Sequence, residues 1–211
     1  MPELDPVVFV VDDDEVVRNI ICQLIESVNI KAKGFASARE FLNSYISTQP
    51  GCLVLDVRMP GMSGIQLQSK LKEKNFHIPI IFITGHGDVP MAVRAFKNGA
   101  VDFIEKPFRN QILLDQIQES LERDANIREK QNLQKTSEDK LRLLTTREQQ
   151  VLDLVRNGKP NKVIASTLGV SQRTVESHRA NIMEKLEVKS LAELVTFIER
   201  IQPLELLLGP C

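Results

Sequence analysis

The 211-residue chain has only three cysteines, Cys22, Cys52 and Cys211, an odd number at spacings that match no zinc site. This excludes a disulfide framework and a cysteine-held metal, and reads as reduced thiols in a cytosolic protein. Long apolar runs are missing too, so no segment reads as a membrane span. The first residues, Met1-Pro2-Glu3-Leu4-Asp5, lack the basic flank and apolar core of a signal peptide. Charge of one sign is also lacking. The net charge is −1, with 12 Lys+Arg against 15 Asp+Glu in residues 1–120, 6 against 5 in 121–143 and 9 against 8 in 144–211. So even a balance permits nucleic-acid binding at the C-terminal end without pointing to it. The expectation is a soluble, cytoplasmic protein with no membrane contact, long enough for one medium domain and a smaller one.

What is present is a set of apolar runs that end on polar residues. Cys52-Leu53-Val54-Leu55 runs into Asp56, with Pro60-Gly61 close behind; Val7–Val11 runs into Asp12-Asp13-Asp14; Ile80–Ile83 ends on Thr84; Val101–Glu105 leads into Lys106-Pro107. Each reads as a strand delivering a polar side chain to its carboxyl end, where parallel α/β sheets build their sites. Between the runs lie helical patterns: Val17, Ile20, Ile21, Leu24, Ile25 and Val28; then Phe41 and Leu42 behind a Ser37/Glu40 capping box; then Ile65, Leu67 and Leu71 behind Ser63/Gln66; then residues 88–98. A short strand is expected near Ile30–Phe35. Five βα repeats of this length predict a doubly wound α/β sheet with helices on both faces, over residues 6–120.

After Phe108 a helical stripe (Ile112, Leu113, Leu114, Ile117, Leu121) fades into charged residues, so 121–143 reads as a helical, solvated, charged linker. A dimeric coiled coil is the alternative, but Asp124 and Arg128 interrupt the apolar positions that heptads need. Residues 144–205 read as a compact all-α domain of four short helices. Thr145/Glu148 and Ser190/Glu193 cap two of them, Gly158 stops the first, and Ser171 caps the third.

If the first and third strands are neighbours, Asp12, Asp13 and Asp56 share one cleft. Crowded carboxylates need a counter-ion, and oxygen donors with water suit Mg²⁺. Lys106 adds a point charge for a phosphoryl oxygen, Thr84 a hydroxyl, and a carboxylate can accept a phosphoryl group. Taken singly, each residue also reads as a turn former, a cap or a solvated lysine, Asp14 above all. The conjunction of four such residues, each at its own strand end, reads as a site. Gly85-His86-Gly87 lacks the third glycine of a nucleotide loop, and His77, His86 and His178 are scattered. The apolar tail Leu204–Leu208 reads as packing or fraying rather than as a membrane anchor.

Val-Val-Asp-Asp-Asp (10–14), Leu-Asp-Val-Arg-Met-Pro-Gly-Met-Ser-Gly (55–64), Ile-Thr-Gly-His-Gly-Asp-Val-Pro-Met-Ala-Val (83–93) and Gly-Ala-Val-Asp-Phe-Ile-Glu-Lys-Pro-Phe (99–108) resemble the receiver domain of two-component response regulators, a flavodoxin-like fold. The resemblance implies that Asp56 is the phosphoacceptor. It implies that Asp12, Asp13, Asp56 and the Arg58 main-chain carbonyl hold Mg²⁺, that Thr84 and Lys106 sense the phosphoryl group, and that Phe103 is an aromatic switch. It also implies a cis Lys106–Pro107 peptide.

Asn161–Leu168, Gly169-Val170 and Ser171–Leu186 have the proportions of a helix-turn-helix. Val175, Ile182 and Leu186 form the apolar stripe of the second helix, with Arg173, Glu176, Ser177, Ala180 and Glu184 largely opposite. Lys162, Arg173, Arg179 and Lys185 suit phosphate contacts, and Ser171, Thr174, Glu176, Ser177 and Ala180 suit base edges or their flanks. A generic helical pair with a mixed-charge face is the competing view, and the glutamates favour it. Leu-Thr-Thr-Arg-Glu-Gln-Gln-Val-Leu (144–152), Asn-Lys-Val-Ile-Ala (161–165) and residues 171–186 resemble the LuxR/NarL type of DNA-binding domain; combined with Gly-His-Gly-Asp-Val-Pro-Met-Ala-Val-Arg-Ala (85–95) they resemble the FixJ-like branch of response regulators, a resemblance that covers residues 6–200.

That resemblance implies a regulator rather than an enzyme. Its partners would be a sensor histidine kinase, promoter DNA, RNA polymerase and, when phosphorylated, a second copy meeting it through Val89, Val93 and Lys97 on the fourth helix. Two other functions compete. An aspartyl-phosphate hydrolase would resemble Asp-x-Asp-x-Thr, but Arg58 stands two residues after Asp56. A constitutive DNA-binding protein with a degenerate receiver would not need the intact acidic cluster and Lys106.

Overall fold

Five short runs, three of them mainly β-branched and aliphatic, pair into one parallel sheet. The computed structural model describes residues 4–85 and 89–201. The strands are β1 (Val7–Val11), β2 (Lys31–Phe35), β3 (Gly51–Asp56), β4 (Ile80–Thr84) and β5 (Asp102–Glu105), in the order β2-β1-β3-β4-β5. β1 and β3 are neighbours, with Val11 opposite Leu55, as the acidic cleft requires. β3 and β4 are buried at every position, as expected of strands covered on both faces.

Helices α1 (Glu15–Glu26), α2 (Ala38–Ser44), α3 (Gly64–Glu73), α4 (Val89–Lys97) and α5 (Asn110–Arg142) complete the alternation. Side chains of alternate strand positions feed two cores. Phe9, Val11, Leu53, Leu55 and Phe82 pack with α2 and α3, while Val8, Val10, Val54, Ile81 and Ile83 pack with α1 and α5. The caps follow the sequence signals. Asp14 accepts from the Val16 and Val17 amides, and Ser63 and Gln66 close a full capping box. At α2 the reach is one residue longer, because Glu40 accepts from the Ala36 amide instead of that of Ser37.

The first compact unit runs through Arg128, past the boundary at 120 expected from sequence. Residues 121–128 were expected to be solvated linker because they are charged and break the apolar stripe. Instead Asp124 is buried and bonded to Arg128, and that pair packs on the sheet's amino end. Polar composition misleads there, since the charges satisfy each other and the backbone.

The second unit contains α6 (Thr146–Arg156), α7 (Asn161–Leu168), α8 (Gln172–Leu186) and α9 (Leu191–Ile201). Its core gathers Val151, Leu152, Ile164, Val175, Ile182, Leu186, Leu194 and Phe197. Gly169 ends α7 in the left-handed conformation, φ 65°, making the tight turn into α8. No helix among the described residues is long and apolar enough to cross a membrane. His86, Gly87 and the Leu204–Leu208 tail lie outside the described residues.

Candidate functional site

The carboxyl ends of β1, β3, β4 and β5 bring together four residues singled out from sequence. Asp12, Asp56 and Thr84 are 1%, 6% and 1% exposed. Lys106, just past β5, donates from Nζ to Asp12 Oδ2 at 2.8 Å and to Asp56 Oδ1 at 2.9 Å. Its own amide donates to the Thr84 carbonyl at 2.7 Å, and its peptide bond to Pro107 is cis.

Each carboxylate is also fixed by its own loop. Asp12 Oδ1 accepts from the Asp14 amide at 2.9 Å, and Asp56 Oδ2 from the Arg58 amide at 2.7 Å. Arg18, half-buried on α1, donates to the Asp12 carbonyl at 2.8 Å. Gly64 opens α3 hard against β3. A Cβ there would lie 2.3 Å from the Asp56 carbonyl oxygen, so only glycine lets the helix start so close to the site.

The electrostatics are unbalanced. Burial pushes the Asp56 carboxyl above the ordinary aspartate value. The Lys106 hydrogen bond and charge oppose this, while the neighbouring Asp12 adds to it. For Lys106, burial works against the charge, but bonds and attraction to Asp12 and Asp56 together lift it above the usual lysine value. The pocket thus holds more carboxylate than its one ammonium offsets.

Asp13 is exposed and, with the Arg58 turn, lines an open cleft of about 890 Å³ that continues along Met59, Gln66 and Met91. Among the described residues, no three His, Cys, Asp or Glu side chains are gathered as a metal group. Of the expected set of Asp12, Asp13, Asp56 and the Arg58 carbonyl, Asp12 and Asp56 are joined through Lys106, while Asp13 and Arg58 line the cleft. Phe103 is half-buried, packs against the core and lies 6.2 Å from the Phe82 ring. On α4, Val89, Val93 and Lys97 are all exposed.

In the helical unit, Lys162, Ser171, Arg173, Glu176, Ser177 and Ala180 are exposed, and Thr174 is half-buried with its hydroxyl bonded to that of Ser171. Two expected phosphate contacts turn inward instead. Lys185 donates to buried Glu148 at 2.7 Å, and Arg179 donates to Asn161 at 2.8 Å, tying α8 to α6 and to α7. Both partners lie far back in the chain, so helical spacing could not reveal them. Lys185 is the main influence holding the Glu148 carboxyl below its ordinary value, assisted by the Thr145 cap.

Residues 8–118 match the family of response regulator receiver domains, and residues 142–198 match the bacterial regulatory proteins of the LuxR family. The chain is similar to nodulation protein W of Bradyrhizobium diazoefficiens, 47% identical over 92% of this chain and 86% of that protein. It is similar to the transcriptional regulatory protein FixJ of Azorhizobium caulinodans, 44% identical over 92% of each. Among solved structures, response regulator StyR is 49% identical, with a TM-score of 0.86 over 93% of this chain and 99% of that one.

Proposed function

The chain belongs to the response regulators that join a receiver domain to a LuxR-type DNA-binding domain, and from that premise we propose that a phosphoryl group on Asp56 switches its hold on promoter DNA. The observation that carries this reading is the Asp12–Lys106–Asp56 bridge at the strand ends. An Asp56 carboxylate oxygen attacks the phosphorus of a sensor kinase's phosphohistidine. The P–N bond breaks, the imidazole leaves, and an aspartyl phosphate remains. Lys106, already 2.9 Å from Asp56, exchanges that contact for one to a phosphoryl oxygen.

The donor chemistry suits Mg²⁺. All nearby ligands are oxygens, and Asp12 and Asp56 together bring two carboxylates to the one ammonium of Lys106, which suits a further hard cation. Asp12, Asp13, Asp56 and the Arg58 main-chain carbonyl would hold it. When bound, it would neutralise charge on the phosphoryl oxygens.

Thr84 and Lys106 then turn toward the new oxygens, and Phe103 follows. The surface of α4 carrying Val89, Val93 and Lys97 changes, and two copies pair through it. Paired α8 helices meet two half-sites. Ser171, Arg173, Thr174, Glu176, Ser177 and Ala180 face the groove, Lys162 meets phosphates, and RNA polymerase is recruited or blocked. A degenerate receiver would leave the Lys106 bridge without purpose.

The test is to incubate the full chain with Mg²⁺ and a small acyl phosphate and measure intact mass. One phosphoryl group should add to the wild type and none to Asp56→Asn. Equal labelling of the variant would overturn the assignment.

A further inference from the structure

The amino end of the sheet, opposite the phosphoryl site, holds a buried charge. Asp124 on α5 is 1% exposed. Its Oδ2 accepts from the Gly51 amide at 2.9 Å and from Arg128 Nε at 2.7 Å. Its Oδ1 is buried without a hydrogen-bond partner. Arg128 then fans out over the turn before β3. Nη1 donates to the Ser47 and Thr48 carbonyls at 3.1 and 3.2 Å, and Nη2 to that of Gln49 at 2.9 Å. Gly51 itself is specialised. At φ 151° its absent Cβ would lie 1.8 Å from the Val7 carbonyl oxygen, so only glycine presents this amide here.

Burying a carboxylate with one oxygen unsatisfied costs stability, and an apolar pair of similar volume would pack more favourably. A carboxylate held at that cost can serve to fix a placement. Two observations say what is being placed. The first compact unit ends directly after Arg128. From Glu129 to Thr136 every side chain is exposed, so this pair is the last anchor on α5 before a solvated stretch of helix. It grips β3 at Gly51, and β3 ends on Asp56.

We propose that Asp124 and Arg128 form a latch that fixes where α5 leaves the receiver, and that the phosphoryl signal reaches the DNA-binding domain only while the latch is closed. The proposal rests on the phosphoryl-switch reading above. Unlatched, the turns of α5 around residues 121–128 fray, and a change at Asp56 is dissipated in local unfolding.

The test uses full-length wild type, Arg128→Lys and Asp124→Asn. Lysine keeps a cation beside Asp124 but cannot reach three carbonyls; asparagine keeps an acceptor for Gly51 but loses the ion pair. Three quantities are measured: phosphoryl labelling of Asp56, hydrogen exchange of amides 121–128, and the change on phosphorylation in affinity for a duplex recovered from a random-sequence pool with the wild-type chain. Labelling should match wild type in both variants. Exchange should quicken about tenfold, and the affinity gain should shrink about fivefold or more. Faster exchange with an undiminished gain would overturn the latch's role in signalling, and unchanged exchange would overturn the latch itself. A wild type that is labelled but gains no affinity would instead overturn the switch reading, and the latch's role with it. Should Asp124→Asn fail to fold, Arg128→Lys decides alone.

Discussion

The strand-end cleft and the recognition helix place their polar residues by different rules. In the cleft, Asp12, Asp56, Thr84 and Lys106 arrive from four strands, and two of the carboxylates meet one ammonium. A strand leaves each terminal side chain little choice, because alternation and the parallel direction fix where it goes. On α8 the polar residues sit on a surface, where long side chains select among partners. Arg179 and Lys185 select Asn161 and Glu148 over solvent, while Arg173, Glu176, Ser177 and Ala180 stay exposed. Residues that converge must act together, whereas residues spread along a helix are expected to act one by one.

That contrast can be broken by mutation. The largest effect should come from the convergent site. Asp12→Asn removes one of two carboxylates on Lys106 and should weaken Mg²⁺ binding about tenfold or more, read by calorimetry, and slow labelling of Asp56. If Mg²⁺ affinity held, the oxygen donors would lie elsewhere. Next, Val93→Asp puts a charge on the exposed α4 stripe and should leave the phosphorylated chain monomeric in sedimentation while labelling proceeds normally. A labelled variant that still dimerises would move the interface off α4.

On α8 the effects should be separable. Exchanging Glu176 should change the preferred sequence by about 1–3 kcal/mol at one base-pair position. Replacing Lys162 with Ala should weaken all duplexes alike and flatten the salt dependence by about one unit of slope. Titrating matched and mismatched duplexes at several salt concentrations distinguishes the two. Reversed outcomes would mean α8 docks in another orientation.

The smallest effect concerns Lys185. Its Ala variant should leave sequence preference intact and cost the helical domain about 1–2 kcal/mol, by leaving buried Glu148 without its cation. Glu148 is held below the ordinary glutamate value of 4.5. Its stabilisation is therefore complete above that pH and is lost as pH falls through the depressed folded-state value. Protection of α6 and α8 amides against exchange, taken relative to the intrinsic rate at each pH, should fall in acid for wild type, and Glu148→Gln should flatten that limb. An unchanged acid limb would mean that the pair does not stabilise the domain.

Much of this was legible in the chain. The five strands and the capping boxes at Ser63 and Thr145 follow from local pattern, whereas nothing local makes β1 and β3 neighbours. Once β1 and β3 are neighbours, the same pattern gathers Asp12, Asp56 and Thr84 at the strand ends. The misses share one cause: a charged side chain paired across a long sequence separation. Asp124 and Arg128 read as linker because their partners, Gly51 and the carbonyls of 47–49, lie on another element. Lys185 reads as a phosphate contact from its place on α8, while Glu148 serves both the Thr145 cap and that lysine. Composition reports that a residue is charged; only tertiary packing reports whether water or a partner receives the charge.

The central claim is that chemistry at the cleft governs the helix. The most direct measurement titrates the full chain and Asp56→Asn against one duplex, each with and without an acyl phosphate donor and Mg²⁺. The account predicts that phosphorylation tightens wild-type binding about tenfold, within the usual range of coupling between two sites, and that the variant stays at the unphosphorylated level throughout. If the untreated chain, the treated chain and Asp56→Asn all bind with equal affinity, the receiver does not control the DNA-binding domain and the protein is a constitutive binder.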